Sequence, residues 1–363
     1  MYDQIREDTL YIMLYTVVTI MAVLASCYLL FRRGNAFASD IKTPARLRRW
    51  TATFFAFLAL NHLWYMPIFF LSSSDDIKTV DLVGGLLDSM TFFPLAIVVL
   101  FTMLQDLRRP LWPAAVMMLP VMVVGVWCVV TCSYAFLPVI YVYFLLTCIG
   151  LIIYMVRATR QYGRWLRDNY ADLEHKEVWQ SLIVLAIMLL MFVIYAFVSE
   201  GVFYQYAMQA IIVVLICFLL WRVETLSDLS ISVNDLSSSI CNRSTMDTVP
   251  AKNVGPLLKR YCEEPQLYLQ HDLTLLQLAR AIGTNRFYLS QYFSSQGMNY
   301  NAYINNLRVN HFISLYRDAV TAQRSVTAQQ LALASGYNSY STFRNAFMRM
   351  TGQSVTAWIK SQN

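Results

Sequence analysis

Long apolar stretches dominate the first 221 residues, and short polar segments separate them. A helix that crosses a bilayer needs roughly 20 consecutive apolar residues, and each stretch is about that long. The pattern therefore predicts seven membrane-spanning helices. They lie at about 9–31, 50–71, 82–104, 111–131, 136–156, 179–198 and 202–221.

The apolar pattern changes after the seventh stretch. Apolar residues now follow spacings of three and four, a heptad seam that continues the register of Leu219 in the last span. This seam predicts a short parallel coiled coil that pairs two chains into a homodimer through residues 226–240. Six serines in the same stretch lower its helix propensity, so a flexible linker is the alternative, and both interpretations stay open. The seam residues are Leu226, Leu229, Val233, Leu236 and Ile240.

A pattern of helix, glycine and helix occurs twice in the last third of the chain. "TLLQLARAIGTN" at 274–285 and "TAQQLALASGYN" at 327–338 share seven residues at an offset of 53 positions. In each copy the threonine predicts a helix N-cap, and the leucines and alanines predict one buried face. The glycine predicts a left-handed turn before a second short helix. The predicted inward residues of the second helices are Leu289, Phe293, Phe343 and Phe347.

The segment between the two copies predicts one long helix. From Asn301 to Asp318 it would be about 27 Å long at 1.5 Å per residue. Successive major grooves on one side of DNA are about 34 Å apart, so this spacing suits two helices in adjacent grooves. The predicted fold class is all-α: a seven-transmembrane-helix bundle, then a cytoplasmic helical domain with two helix-turn-helix units. The predicted domains are residues 1–221, a connector at 222–252, and residues 253–363.

Charge divides the chain in the same way as hydrophobicity. Residues 1–250 carry 17 Lys and Arg against 18 Asp and Glu, whereas residues 251–363 carry 11 against 4. The net charges are thus −1 and +7, which together give the formal +6 of the whole chain. A basic domain indicates an anionic partner such as nucleic acid.

Basic residues in the loops predict the orientation in the membrane. Alternate loops carry 13 Lys and Arg, whereas the N-terminus and the remaining loops carry two, Arg6 and Lys78. Basic loops stay in the cytoplasm, so the N-terminus is predicted outside and the C-terminal domain inside. We therefore predict a multi-pass protein of the bacterial cytoplasmic membrane, in contact with the lipid bilayer.

Residues 255–360 resemble the C-terminal DNA-binding domain of AraC/XylS-type bacterial transcription regulators. "LARAIGTNRFYLSQYF", "YINNLRVN" and "LALASGYNSYSTFRNAFMRMTGQS" carry the resemblance. The chain departs from the family at Val355, where the family usually has proline, and its second helices end with fewer basic residues. The resemblance covers under a third of the chain and implies no ligand for the membrane half.

The resemblance also implies which residues meet DNA. Outward residues of the second helices would read base edges in the major groove, and neighbouring residues would contact phosphates. The implied partners are double-stranded DNA and RNA polymerase. The implied base-reading residues are Phe287, Ser290, Gln291, Ser341, Arg344 and Asn345. The residues placed for phosphate contact are Asn285, Arg286, Asn338 and Arg349.

Polar residues inside the predicted spans are candidates for a signal site. Asp88 lies in the third span, and Asn61 and His62 lie in the second. A charge at mid-bilayer costs on the order of 3 kcal/mol, so such a residue needs a function or a partner. Asp88 would either bind a ligand or proton or make a hydrogen bond between helices, and we favour the hydrogen bond.

The sequence lacks the motifs of catalysis and metal binding. The seven cysteines form no CxxC pair and no cluster with histidine, so we predict no metal site and no cofactor. Paired carboxylates, a Ser/His/Asp arrangement and a glycine-rich phosphate loop are also missing, so we predict that the protein is not an enzyme.

These patterns predict a membrane-embedded one-component transcription regulator. An unknown small-molecule or membrane signal would control sequence-specific DNA binding by the two helix-turn-helix units. One alternative is a transporter or membrane enzyme with a fused regulatory domain, which would need several facing ionisable residues across the spans. The other alternative is a passive anchor that holds a constitutive regulator at the membrane.

Overall fold

The protein folds into helices throughout the described part of the chain. The computed structural model describes residues 8–32, 42–71, 73–106, 109–131, 135–174, 176–197, 202–229 and 254–362. All named elements within these ranges are helical, which confirms the predicted all-α fold. Two compact units form: Met1–Tyr162 with Val178–Ser230, and Gly163–Glu177 with Ile231–Asn363.

The first unit contains the apolar helices. Six helical stretches in the described residues are long and apolar enough to cross a membrane. They correspond to six of the seven predicted spans. The remaining predicted span, at 179–198, coincides with an apolar helix of 17 residues. The helices are α1 (Thr9–Phe31), α2 (Ala45–Tyr65), α3 (Ser74–Met103), α4 (Trp112–Val116), α5 (Leu119–Thr131), α6 (Leu137–Asn169), α7 (Ser181–Phe197) and α8 (Val202–Thr225).

Large apolar side chains cover the outside of this unit. Phe31 and Phe203 expose 80% and 78% of their surface, and Leu24 and Val130 are also exposed. Inside, glycines allow helices to approach closely, because a Cβ on Gly84 would lie 2.4 Å from Cζ of Tyr65. An apolar exterior over closely packed helices suits insertion into a bilayer, where the lipid tails solvate the exposed side chains.

Helix α8 ends before the predicted heptad seam begins. Its last residue is Thr225, and the next residues leave the helix while Leu226 and Leu229 stay buried. The side-chain amide of Gln105 donates to the Ser227 carbonyl at 2.9 Å and accepts the Leu229 N–H at 2.8 Å. These bonds replace helical ones, so the prediction that the seam continues the last span is wrong at residues 226–229. The remainder of the seam lies outside the described residues.

The second unit contains the predicted repeat. It begins with α9 (Val254–Leu258), a π-helical turn (Lys259–Glu263) and a 3₁₀ turn (Leu267–Leu269). The helices that follow are α10 (Leu275–Ala281), α11 (Arg286–Ser295), α12 (Tyr300–Thr321), α13 (Ala328–Ala334), α14 (Tyr340–Thr351) and α15 (Val355–Gln362).

Helix α12 is the predicted linker helix and serves two hydrophobic cores. Its first half contributes Ile304 to a core with Leu278 and Phe293, and its second half contributes Phe312 to another core. The helix has 22 residues, about 33 Å, which is one turn longer than predicted. One rigid helix therefore sets the spacing of the two helix-turn-helix units.

A segment from the first half of the sequence also belongs to the second unit. Gly163–Glu177 comprises the end of α6 and the loop after it. The Ala171 N–H donates to the Leu273 carbonyl at 3.3 Å, and the Asn301 amide donates to the Ala171 carbonyl at 2.6 Å. The sequence identified this loop only by its basic residues and did not predict this packing.

Candidate functional site

The first helix-turn-helix unit consists of α10 and α11. Thr274 caps α10, and the side-chain oxygen of Gln277 accepts a hydrogen bond from the Thr274 N–H at 2.8 Å. Gly283 has φ +74° at the end of α10, as a left-handed turn requires. Asn285 then caps α11 by accepting the Tyr288 N–H at 2.8 Å. The predicted helix, glycine turn and helix are confirmed.

The second helix-turn-helix unit, α13 and α14, repeats this arrangement with one change. Thr327 and Gln330 form the same capping box, and Gly336 has φ +88°. The cap of α14 is Ser339, which accepts the Thr342 N–H at 3.3 Å. Asn338 matches Asn285 by sequence offset, but the extra residue in this turn moves the capping role one position along the chain.

Each second helix buries one face and exposes the other. The inward residues Leu289, Phe293, Phe343 and Phe347 are buried, as predicted. Their burial leaves the opposite faces of α11 and α14 open. Phe287 exposes 71% of its surface, and Ser290 is half-buried. The other outward residues implied for base reading are exposed: Gln291, Ser341, Arg344 and Asn345.

The four residues placed for phosphate contact have different surroundings. Arg349 is exposed near the end of α14, and Asn285 uses its side-chain oxygen as a cap. Arg286 is half-buried, and this burial lowers the pKa of its guanidinium, while nearby Tyr170 and Asp168 oppose the shift. Asn338 already has an anionic partner, because its amide donates to the Asp172 carboxylate at 3.0 Å.

A buried arginine joins the halves of this domain. Arg308 of α12 is 1% exposed, and its guanidinium donates to the carbonyls of Tyr268 at 2.7 Å and Gln270 at 2.8 Å. It also lies 5.5 Å from the ring centroid of Tyr337 in the second core. Sequence reasoning missed this residue, because a lone arginine in a helix usually points to solvent.

Comparison with known families finds a match for the C-terminal helices. Residues 278–361 match the family model of a helix-turn-helix domain. The match is to the AraC type and runs from within α10 into α15. It supports sequence-specific DNA binding and transcription regulation by this part of the chain, and this family is not one of enzymes. It covers less than a quarter of the chain and says nothing about the apolar helices. No curated protein and no solved structure matches the chain.

Two of the three polar residues predicted in the spans are in contact. The Asn61 amide of α2 donates to Asp88 of α3 at 2.7 Å and to the Thr91 hydroxyl at 2.8 Å. The Tyr65 hydroxyl donates to the other Asp88 oxygen at 2.9 Å. We call these four residues the polar cluster. Tyr65 was missed by sequence reasoning, although it lies one helical turn after Asn61.

His62 has other partners. Its Nε2 lies 3.3 Å from the side-chain oxygen of Gln209 on α8, and its Nδ1 lies 2.9 Å from the Leu58 carbonyl. The Tyr15 hydroxyl of α1 donates to the His62 carbonyl at 2.7 Å. These contacts connect three helices. Within the described ranges, no group of three or more His, Cys, Asp or Glu side chains is arranged to hold a metal ion.

Proposed function

We propose that the protein is a membrane-embedded transcription regulator that places α11 and α14 in successive major grooves of DNA. The observation that carries this proposal is the exposed faces of α11 and α14. One rigid helix, α12, sets the spacing between them. At about 33 Å, α12 is close to the repeat of about 34 Å between major grooves on one side of the duplex. The net charge of +7 in this part of the chain supplies attraction to phosphates.

Base reading is proposed for the outward-facing residues of the two helices. Arg344 suits the two acceptors of guanine, and Gln291 and Asn345 suit the donor and acceptor of adenine. Ser341 and Ser290 can contact either base, and Phe287 offers an apolar contact to a thymine methyl group. Arg286 and Arg349 would contact phosphates, which position the protein without reading sequence.

The membrane half is proposed to sense the signal and to hold the domain in the cytoplasm. Six long apolar helices, the shorter apolar α7 as a seventh crossing, and the basic alternate loops support insertion into the bacterial cytoplasmic membrane with the C-terminus inside. The polar cluster supplies a packing contact between α2 and α3 that a signal can change. A change of a few kcal/mol in the packing equilibrium is enough to alter DNA binding.

Two partners are proposed on sequence grounds. The resemblance to AraC/XylS-type regulators implies contact with RNA polymerase at the promoter. The heptad seam supports a homodimer, and only its residues beyond 229 are left to form a coiled coil. Crosslinking of the full chain in native membranes would test the dimer: a chain that stays monomeric at all crosslinker concentrations contradicts it.

Genome-wide occupancy of the tagged full-length protein tests DNA reading. We expect that the double variant Gln291→Ala and Arg344→Ala loses its discrete occupied sites, because each good bidentate pair contributes about 1–3 kcal/mol of discrimination. The matched control changes the same residue types at exposed positions away from α11 and α14, as Arg317→Ala with Gln353→Ala. Unchanged occupancy in the first variant would contradict the proposed base contacts.

A further inference from the structure

Two carboxylates of the segment Gly163–Glu177 lie against the second helix-turn-helix unit. The Glu174 carboxylate accepts hydrogen bonds from the Ser339 hydroxyl at 2.5 Å and the Thr342 hydroxyl at 2.7 Å. The Asp172 carboxylate accepts one from Asn338 at 3.0 Å. Three polar groups at or just before the start of α14 thus donate to carboxylates from the same loop.

The start of α14 is where a DNA phosphate would bind. Ser, Thr and Asn side chains and helix N-termini supply many of the phosphate contacts in protein–DNA complexes. Ser339 caps α14, and Thr342 lies in its first turn. The positive end of this 12-residue helix favours an anion at the same place. Glu174 and Asp172 therefore provide the charge and the acceptor atoms that a phosphate would provide.

The rest of the segment is held by contacts to the first helix-turn-helix unit and its surroundings. Lys176 pairs with Asp272 at 2.8 Å, and Ala171 is buried in the first core. Asp172 is 2% exposed, although a buried carboxylate is costly without partners. Several residues of this loop thus contact the two helix-turn-helix units and their surroundings.

We propose that residues 168–174 are an internal blocker of DNA binding, with Glu174 and Asp172 in the positions of backbone phosphates. The blocker must leave before α14 can enter the major groove, because a phosphate and a carboxylate cannot share the same donors. Helix α6 runs without interruption from Leu137 to Asn169, and its last residues are the first residues of the blocker. A movement of this apolar helix would therefore displace the blocker. This inference rests on the proposed function and adds its regulation.

Binding of the full chain to DNA tests the blocker. The probe is a fluorescent duplex of mixed sequence, titrated with the protein in lipid nanodiscs. We expect Glu174→Gln to bind about tenfold more tightly than the wild type, because a weakened internal competitor shifts the population towards the open state. Glu264→Gln removes the same charge at an exposed position of the same unit and is the matched control.

Equal tightening by Glu174→Gln and Glu264→Gln would overturn the blocker, because that result is a general charge effect. Hydrogen exchange of the wild type with saturating duplex gives an independent measurement. We expect the amides of residues 168–174 to exchange faster when DNA is bound, and unchanged protection would also overturn the blocker. If neither the wild type nor Glu174→Gln binds any duplex, the proposed DNA-binding function itself fails, and the blocker fails with it.

Discussion

At the scale of single residues, burial of Arg308 shows how a polar side chain can hold a helical domain together. Its two hydrogen bonds go to carbonyls 40 and 38 positions earlier in the chain, and its cationic end faces Tyr337. Burial lowers the pKa of this guanidinium, but arginine stays charged at neutral pH. A charged donor that satisfies the buried Tyr268 carbonyl is strongly stabilising in this position.

We expect Arg308→Met to lower the free energy of unfolding of the second compact unit by about 3 kcal/mol, because the buried Tyr268 carbonyl and the Gln270 carbonyl both lose their charged donor. Proteolysis of the full chain at increasing urea concentration, followed at peptides from residues 254–362, measures this change. Arg317→Met on the exposed side of the same helix is the control, and we expect its effect to stay within about 0.5 kcal/mol. Equal effects of the two changes would contradict the bracing role of Arg308.

At the scale of elements, the two turns of the repeat look alike in sequence but differ in their surroundings. A Cβ on Gly283 would meet no atom within 4 Å, whereas a Cβ on Gly336 would lie 2.7 Å from the Leu269 carbonyl oxygen. Both glycines have positive φ. The second turn therefore needs glycine for its backbone conformation and also for the close approach of another segment.

Gly336→Ala should lower the free energy of unfolding of the second compact unit by more than about 3 kcal/mol. Strain at positive φ adds to a clash with backbone atoms that cannot rotate away. The matched change is Gly297→Ala, at φ +68° with open space around the Cβ, where we expect about 1 kcal/mol. The same urea and proteolysis measurement compares them. A Gly336→Ala effect no larger than that of Gly297→Ala would show that the contact with Leu269 relaxes easily.

At the scale of the whole molecule, the proposed function leaves two alternatives for the apolar helices: they sense a signal, or they only anchor the DNA-binding domain. The polar cluster distinguishes these alternatives, because Asp88 accepts hydrogen bonds from both Asn61 and Tyr65 on the neighbouring helix. In lipid such a contact has few substitutes, so it can favour one packing of α2 and α3 over another. A passive anchor would need no such preference.

Asp88→Asn should change transcription from bound promoters about fivefold in either direction, because the amide removes the charge and one acceptor from the cluster. A reporter gene at an occupied site measures the output, and immunoblotting checks the protein level. Asp75→Asn is the control at an exposed position of the same helix. Equal output from Asp88→Asn, Asp75→Asn and the wild type would support the passive anchor.

Local patterns in the sequence predicted most of the helices and both turns. Thr274, Thr327, Gly283 and Gly336 act within one or two helical turns, so their roles can be read from neighbouring residues. The apolar runs were equally readable, because six of them fold into helices that are long and apolar enough to cross a membrane. The exposed faces of α11 and α14 followed from the same periodicity, although contact with DNA stays a prediction.

The sequence by itself determined the class of fold, the paired helix-turn-helix units and the faces of α11 and α14 that point outward. Tertiary structure alone decided where α8 ends, which carbonyls Arg308 donates to, and which carboxylates bind Asn338 and Ser339. The reason is physical. Each of these features depends on a hydrogen bond between residues 38 to 168 positions apart, and no local spacing encodes such a pairing.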